Sequence, residues 1–431
     1  MKANQRSRLT KTPTTNRNLP IYVALSALAV PHIATAQASD NSVHVIHDER
    51  DVVRMVHMRS PKNAVANAMD HLADVRSQTA GLLPNPNVAW GRETVQTGPL
   101  SGQGSQDIVN ATLPIDFVRP MSARAMAASE SAWTHSQASQ LRTQAALEAV
   151  LAYIDVILAE QRMRLLSQSL ENLDEAARVL RERETAGAAS GYESTRLAIE
   201  SELTRSRLAK ARMKLEGAKS RLAVLLDVKA DTLRTEDLLP PLSASEEATL
   251  IAQATTATKS LQHARQSQDL ASKAEARAAW TWLPALELWA GFKRANNFGA
   301  LDGYGYSIGA SIDLPVFDHG QAQRQQAQAQ HVLAKARSEA LTQQVNAELE
   351  QALATFRLAR EELLRFESQT KGQVDVLLAA ARSGYREGVR TIVELLDAQR
   401  AQTEVAQQHA NLLGSAKRAE AHLRAAAGDF Q

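Results

Sequence analysis

The most coherent chemistry in this chain is a set of acids placed shortly after two pairs of glycines. Glu394 and Asp397 lie three apart and so share a helix face, and Glu200, 197 positions before Asp397, stands in the matching place of an earlier stretch. Carboxylates on such a face either sit in solvent or, where the face lines an aperture, attract cations and repel one another when ionised. Other chemistry is sparse. "GYGYSIG" has glycines at 303, 305 and 309, one residue too wide for a dinucleotide loop, and its alternation belongs to a strand and not to a strand–helix turn. His44, His47, Met55, His57 and Met58 are of types that bind a soft metal, but no ordered scaffold is legible around them, so neither a metal nor any other cofactor is expected. No Ser-His-Asp set, carboxylate metal site or phosphate loop stands out. An enzyme is not indicated.

The elements that position the acids begin with the glycines. Gly187 and Gly191 in "AGAASGYESTRLAIESE" match Gly384 and Gly388 in "SGYREGVRTIVELLDAQ" at the same offset of 197. A helix that reverses with almost no loop needs a residue that reaches positive φ without steric cost, so the two pairs read as two reversals at a shared tip. Helical seams run up to and away from these turns. Leu147, Leu151, Ile154 and Leu158, then Leu166, Leu170, Leu173, Ala177 and Leu180, keep a spacing of three and four. The stripe returns as Leu208, Ala211, Leu215, Ala218, Leu222 and Leu225, and again as Leu412, Ala416, Ala419, Leu423 and Ala426. Proline is absent between Pro120 and Pro240, so residues 120–186 can run as one helix for roughly 100 Å.

The repetition extends upstream. "LPNPNVAWG" at Leu83 pairs with "LPALELWAG" at Leu283, and "LPIDF" at Leu113 with "LPVFD" at Leu314. The chain therefore reads as two copies of one unit, each with two extended segments, a long helix, a glycine turn and a returning helix. The extended segments alternate. From 303 to 314, Tyr304, Tyr306, Ile308, Ala310, Ile312 and Leu314 share one face and glycine, serine and aspartate the other. Val109, Ala111, Leu113, Ile115 and Phe117 do the same, Leu286, Leu288, Ala290 and Phe292 supply a third strand, and Val88 and Trp90 a fourth. Trp280 and Trp282 stand where an interfacial aromatic belt would fall. Four strands cannot seal their backbone from lipid, so copies of the chain must supply the rest, and three copies give twelve strands. If the acidic face then points inward, Glu200, Glu394 and Asp397 from three chains form a ring at the narrow end.

Composition agrees with long helices: 431 residues, 44% apolar but only 4% aromatic, with no cysteine. The formal charge of +2 conceals five cations, Lys2, Arg6, Arg8, Lys11 and Arg17, within residues 1–36, so the remainder is net −3 and gives no reason to expect nucleic acid. That basic stretch, the apolar run "IYVALSALAV" and the small residues "ATA" at 34–36 read as a secretory signal. The expected division is a signal peptide at 1–36, an N-terminal periplasmic segment at 37–62 in which no helix or other order is legible, a first repeat at 63–232 and a second at 233–431.

"YREGVRTIVELLDAQ" resembles the second periplasmic hairpin of the TolC family of outer-membrane efflux proteins, and "LPNP" before the first strand is similar to that family too. The resemblance covers about residues 65–428. It implies a mainly α chain with a small β part, forming a trimeric α-helical barrel in the periplasm continuous with a twelve-stranded β-barrel in outer-membrane lipid. The implied partners are two further copies of the chain, a periplasmic adaptor (membrane fusion) protein touching the tip glycines, and an inner-membrane pump. The family closes its tip by polar links that fall here on Tyr385 and Arg390, while the family's acid in the first hairpin falls on Leu197. An exit duct for efflux is the expected function. A duct for type I protein secretion and, in a different class, a soluble periplasmic coiled-coil scaffold are the alternatives.

Overall fold

The computed structural model describes residues 44–94, 104–116, 118–185, 190–236, 240–298 and 301–430. The signal peptide expected at 1–36, together with Phe117 and Gly187, lies outside them. In chain order the elements are β1 (His44–Ile46), α1 (Glu49–Arg59), α2 (Pro61–Thr79), β2 (Asn87–Thr94), β3 (Ser105–Ile115), α3 (Val118–Thr185), α4 (Gly191–Leu226), β4 (Leu233–Thr235), α5 (Ala244–Ala257), α6 (Lys259–Ala278), β5 (Leu286–Phe298), β6 (Leu301–Ile312), α7 (Gln321–Phe366), α8 (Gly372–Arg386) and α9 (Ile392–Ala427).

Helix α3 organises the rest. Its 68 residues span about 100 Å. Pro120 falls in the first turn, where its missing N–H costs nothing. Along its N-terminal half α3 meets α6 through small residues: Ser129 Oγ donates to the Ser267 carbonyl and Ser267 Oγ to the Ser129 carbonyl, each at 2.8 Å, and Ser136 Oγ donates to the Ser260 carbonyl at 2.8 Å. Hydroxyls reach a neighbouring backbone only where the helices approach closely, which the alanines around them permit. Along the other half α3 packs on α4, with Leu166 against Leu208 and Ala211. Helix α9 also flanks α3, and α7 lies beside both α6 and α9. Between α7 and α8, Glu367–Lys371 form a π-helical turn.

The main core lies midway along α3. Tyr153, Ile154 and Ile157 are buried with Leu222 and Leu226 of α4, Ile46, Val52 and Val56, and Leu233. The part of the 37–62 stretch among the described residues, 44–62, is thus ordered: β1 pairs in parallel with β4, and the Asp48 side chain caps α1 by accepting from the Asp51 N–H at 2.9 Å. One turn of apolar residues, Val52, Val53, Met55 and Val56, is too short a run to announce an eleven-residue helix. Beside this core a buried ion cluster ties α1 to α9. Lys417, 2% exposed, is 2.8 Å from Glu49 Oε1 and 2.8 Å from Glu420 Oε2, and Arg424 lies 2.9 Å from Glu420 Oε1.

The four remaining strands form one antiparallel sheet in the order β2-β3-β5-β6. The two halves of the chain therefore meet at β3–β5, and among the described residues β2 and β6 are left as unpaired edges.

Candidate functional site: hairpin tips and a one-sided sheet

The register of the sheet sorts its side chains. Trp90, Val109, Phe292 and Tyr306 form one row across the strands, and Val88, Ala111, Ala290 and Ile308 the row beside it. This face is uncovered: Tyr306 is 85% exposed, Ile308 77% and Trp90 68%. Trp280 and Trp282 are exposed as well, in the turn between α6 and β5, at the helical end of the sheet. The opposite face carries Asn110, Gly291, Ser307, Gly309 and Trp289. It is glycine-rich for a steric reason, since a Cβ on Gly309 would fall 2.4 Å from Trp289 Cζ2. The strands of 11, 13 and 12 residues at β3, β5 and β6 are long enough to cross a hydrocarbon layer when tilted. Among the described residues no helix is long and apolar enough to do so.

At the other end, the second hairpin turns as the sequence predicts. Gly388, at φ +80°, ends α8 with its N–H bonded to the Tyr385 carbonyl at 3.2 Å, while the Val389 N–H reaches back to the Gly384 carbonyl at 2.9 Å. This pair of bonds satisfies the last free carbonyls of the helix and requires the left-handed residue between them. The other tip glycines differ from expectation. Gly384 is helical, with the Arg390 stem lying across it, and Gly191 opens α4 outside the left-handed region. Gly388→Ala should therefore cost about 1–2 kcal/mol from backbone strain alone, since its Cβ would meet nothing nearer than Arg183 Nη2 at 3.9 Å. Gly191→Ala should be neutral or stabilising by about 0.5 kcal/mol. Thermal dissociation midpoints of the two variants check the contrast.

Sequence reasoning missed the feature that starts both returning helices. Ser190 with Glu193, and Thr391 with Glu394, form capping boxes: the Thr391 N–H donates to Glu394 Oε2 at 2.8 Å, and the Ser190 N–H to Glu193 Oε2 at 3.3 Å. The signal was present as "SGYE" and "TIVE". Aligned on these boxes, Glu394 matches Glu193, an offset of 201. The offset of 197 that paired Glu200 with Asp397 is out of step by one helical turn here.

The three acids meet different environments. Glu200 does not face an aperture: it is 4% exposed, hydrogen-bonded by Arg400 Nη2 and 3.5 Å from Arg207 Nη1. The hydrogen bond from Arg400 holds its carboxyl below the usual range. Glu394 is exposed but engaged, since the Thr391 backbone holds its carboxyl low and Arg390 Nη1 lies at 3.4 Å. Asp397 is exposed, with Arg400 Nη1 at 4.0 Å. The expected bare acidic set becomes two exposed acids, each with an arginine one turn away.

Tyr385 is also turned inward. It is 1% exposed within an apolar cluster that includes Leu173, Leu180, Leu197, Leu378, Ile392 and Leu396, and Arg183 lies over its ring at 5.3 Å. Burial pushes its phenol up, with the neighbouring Arg183 acting in the opposite sense. Leu197, at the place of the family's acid, is the apolar neighbour that makes this burial possible. Arg390 alone of the expected closing pair is exposed. Among the described residues no group of histidines and acids is arranged for a metal; His47 Nδ1 instead pairs with Glu236 Oε1 at 2.9 Å.

Residues 250–429 match the family described as "Outer membrane efflux protein". No curated protein matches the chain. Among solved structures, the outer-membrane channel OprN has the same fold at a TM-score of 0.69 and 19% identity, covering 88% of this chain and 89% of that one. The outer membrane protein VceC of Vibrio cholerae follows at 0.68 and 17%, covering 88% and 96%, and the CmeC outer membrane channel of Campylobacter jejuni at 0.66 and 15%, covering 97% and 94%. The matched proteins are channels and not enzymes. Residues 250–429 thus resemble the outer membrane efflux protein family, and the chain through most of its length has the fold of these outer-membrane channels.

Proposed function

We propose that the chain forms, as a homotrimer, the exit duct of a tripartite efflux system, docked by its hairpin tips on a periplasmic adaptor coupled to an inner-membrane pump. The observation that carries this reading is the four-stranded sheet: one face exposes Trp90, Phe292, Tyr306 and Ile308, and both edges, β2 and β6, lack partners. Open edges and an apolar face are costly in water. Joined edge to edge by two further copies and surrounded by lipid, they satisfy both the backbone and the hydrophobic surface. The soluble scaffold reading gives this face no partner.

The turn at Gly388, the helical Gly384 and Gly191 at the start of α4 then lie at the periplasmic tip. Glu394 and Asp397 of three chains face one another there, moderated by Arg390 and Arg400. The purified protein should run as a heat-dissociable trimer from the outer-membrane fraction and conduct ions in planar bilayers. A photocrosslinker at Val389, 79% exposed in the tip turn, should capture a periplasmic adaptor in cells. A monomer soluble without detergent would sink the duct. A crosslinked adaptor that belongs to a protein-secretion system would move the assignment to type I secretion.

A further inference from the structure

The uncovered face of the sheet changes character at the end away from the helices. Four successive rows are apolar, from Ile115, Leu286 and Ile312 at the helical end to Trp90, Val109, Phe292 and Tyr306. The next row on the same face is Arg92, Asp107, Arg294 and Tyr304. Both arginines are exposed. Arg294 is eight residues beyond Leu286 on β5, about 27 Å along the strand, or roughly 20 Å of height at the tilt of a transmembrane barrel strand. The apolar band of such barrels is about 25 Å tall, so this row falls near its margin, where a guanidinium reaches out of the hydrocarbon while its stem stays within it. The charges on the row do not cancel. Asp107 is its one acid, 3.9 Å from Arg92 Nε and opposite Arg294 in the register, which leaves one net positive charge per chain. Local contacts hold both cations in place: Arg92 Nη2 donates to Ser105 Oγ at 2.9 Å, and Arg294 lies 5.9 Å from the centre of the Tyr304 ring, which stacks on Phe292 at 5.8 Å. A guanidinium has five N–H donors, and these contacts occupy few of them.

We infer that this row is a binding site for the phosphate groups of outer-leaflet lipid, with Arg92 and Arg294 as the phosphate ligands and Asp107 as a positioning residue between them. This rests on the duct reading above, in which the helices lie in the periplasm and this end of the sheet reaches the outer surface of the membrane. A guanidinium meets phosphate through two parallel hydrogen bonds, and cations at this depth attract anionic headgroups. The rows below decide between a lipid and a soluble anion. Trp90, Val109, Phe292 and Tyr306 continue directly from the arginines and offer an exposed apolar surface to acyl chains, which a free phosphate would leave unused.

Native mass spectrometry of the purified trimer in a neutral detergent, titrated with bisphosphorylated lipid A and with the same lipid stripped of its phosphates, tests the site. The wild-type trimer should bind the phosphorylated lipid more tightly. Arg92→Gln and Arg294→Gln should each weaken that binding about fivefold, and the double variant should lose the preference for phosphate. Lys293→Gln removes a cation one residue away but on the opposite face, in the row of Ile108 and Gly305, and should change nothing. Equal wild-type affinity for the two lipids would overturn the inference, and that comparison needs no variant to fold. A loss from Lys293→Gln as large as that from Arg294→Gln would also overturn it, by showing a response to net charge alone. Displacement of the lipid by millimolar inorganic phosphate would do the same, by assigning the row to a soluble anion. Absence of a trimer from the outer-membrane fraction would instead mean that the duct reading has failed.

Discussion

Arginine at position 308 should abolish outer-membrane assembly, whereas arginine at 307 should leave trimers in place. Ile308 stands in a row with Val88, Ala111 and Ala290 on the uncovered face and is 77% exposed. A cation there meets hydrocarbon at a cost of roughly 2–4 kcal/mol near the midplane, repeated in every copy. Ser307 projects to the other face, half-buried beside Asn110 and Gly291, where a long cationic side chain must turn past these neighbours toward the interior of the proposed barrel instead of entering lipid. Depth in the membrane is nearly the same for both positions, so the face is the only large difference between them. Trimer yield in the outer-membrane fraction reads the result. Equal yields would show that the apolar face is turned away from lipid.

Lys417→Met should be the most damaging single change in the helical part. Lys417 and Glu420 are 2% and 1% exposed, and the ammonium is the cation that Glu49 and Glu420 share. Removing one member of a buried ionic set costs about 3–5 kcal/mol, because the remaining charge is left without a partner. Adding Glu49→Gln should recover part of the loss, since Glu420 keeps Arg424 at 2.9 Å and the other carboxylate is then neutral. Arg365→Ala, which removes an exposed neighbour of Glu362, should leave the thermal dissociation midpoint unchanged. A midpoint for Lys417→Met as high as that of Arg365→Ala would show that the cluster carries no stability. Because the cluster joins α1 to α9, its loss should also free the segment around Glu49 to proteolysis.

The sequence by itself determined the periodic features. Leucine and alanine at three- and four-residue spacing, uninterrupted by proline, leave few alternatives to α3, α4 and α9, because an apolar stripe on a long helix must be covered by another helix. Strict alternation from Tyr304 to Ile312 likewise fixes which side chains share a face, since a slip of one residue would reverse them all. Gly388 was legible as a turn because its backbone requirement is local. The helix α1 was not legible, being short and held by contacts from α3, α4 and α9 that no local pattern announces.

The orientation of the tip residues was decided only by the tertiary structure. Glu200, Glu394 and Asp397 look equivalent along the chain, yet Arg400 of α9 lies against Glu200 of α4 and takes it from the surface, while the other two stay exposed. Tyr385 goes inward for a related reason: with leucine at 197 and not an acid, the space between the hairpins is apolar, and an aromatic ring under Arg183 fills it. Spacing tells which residues share a helix face. Which way that face turns depends on what four helices bring to the same place, and that is a property of the assembled fold.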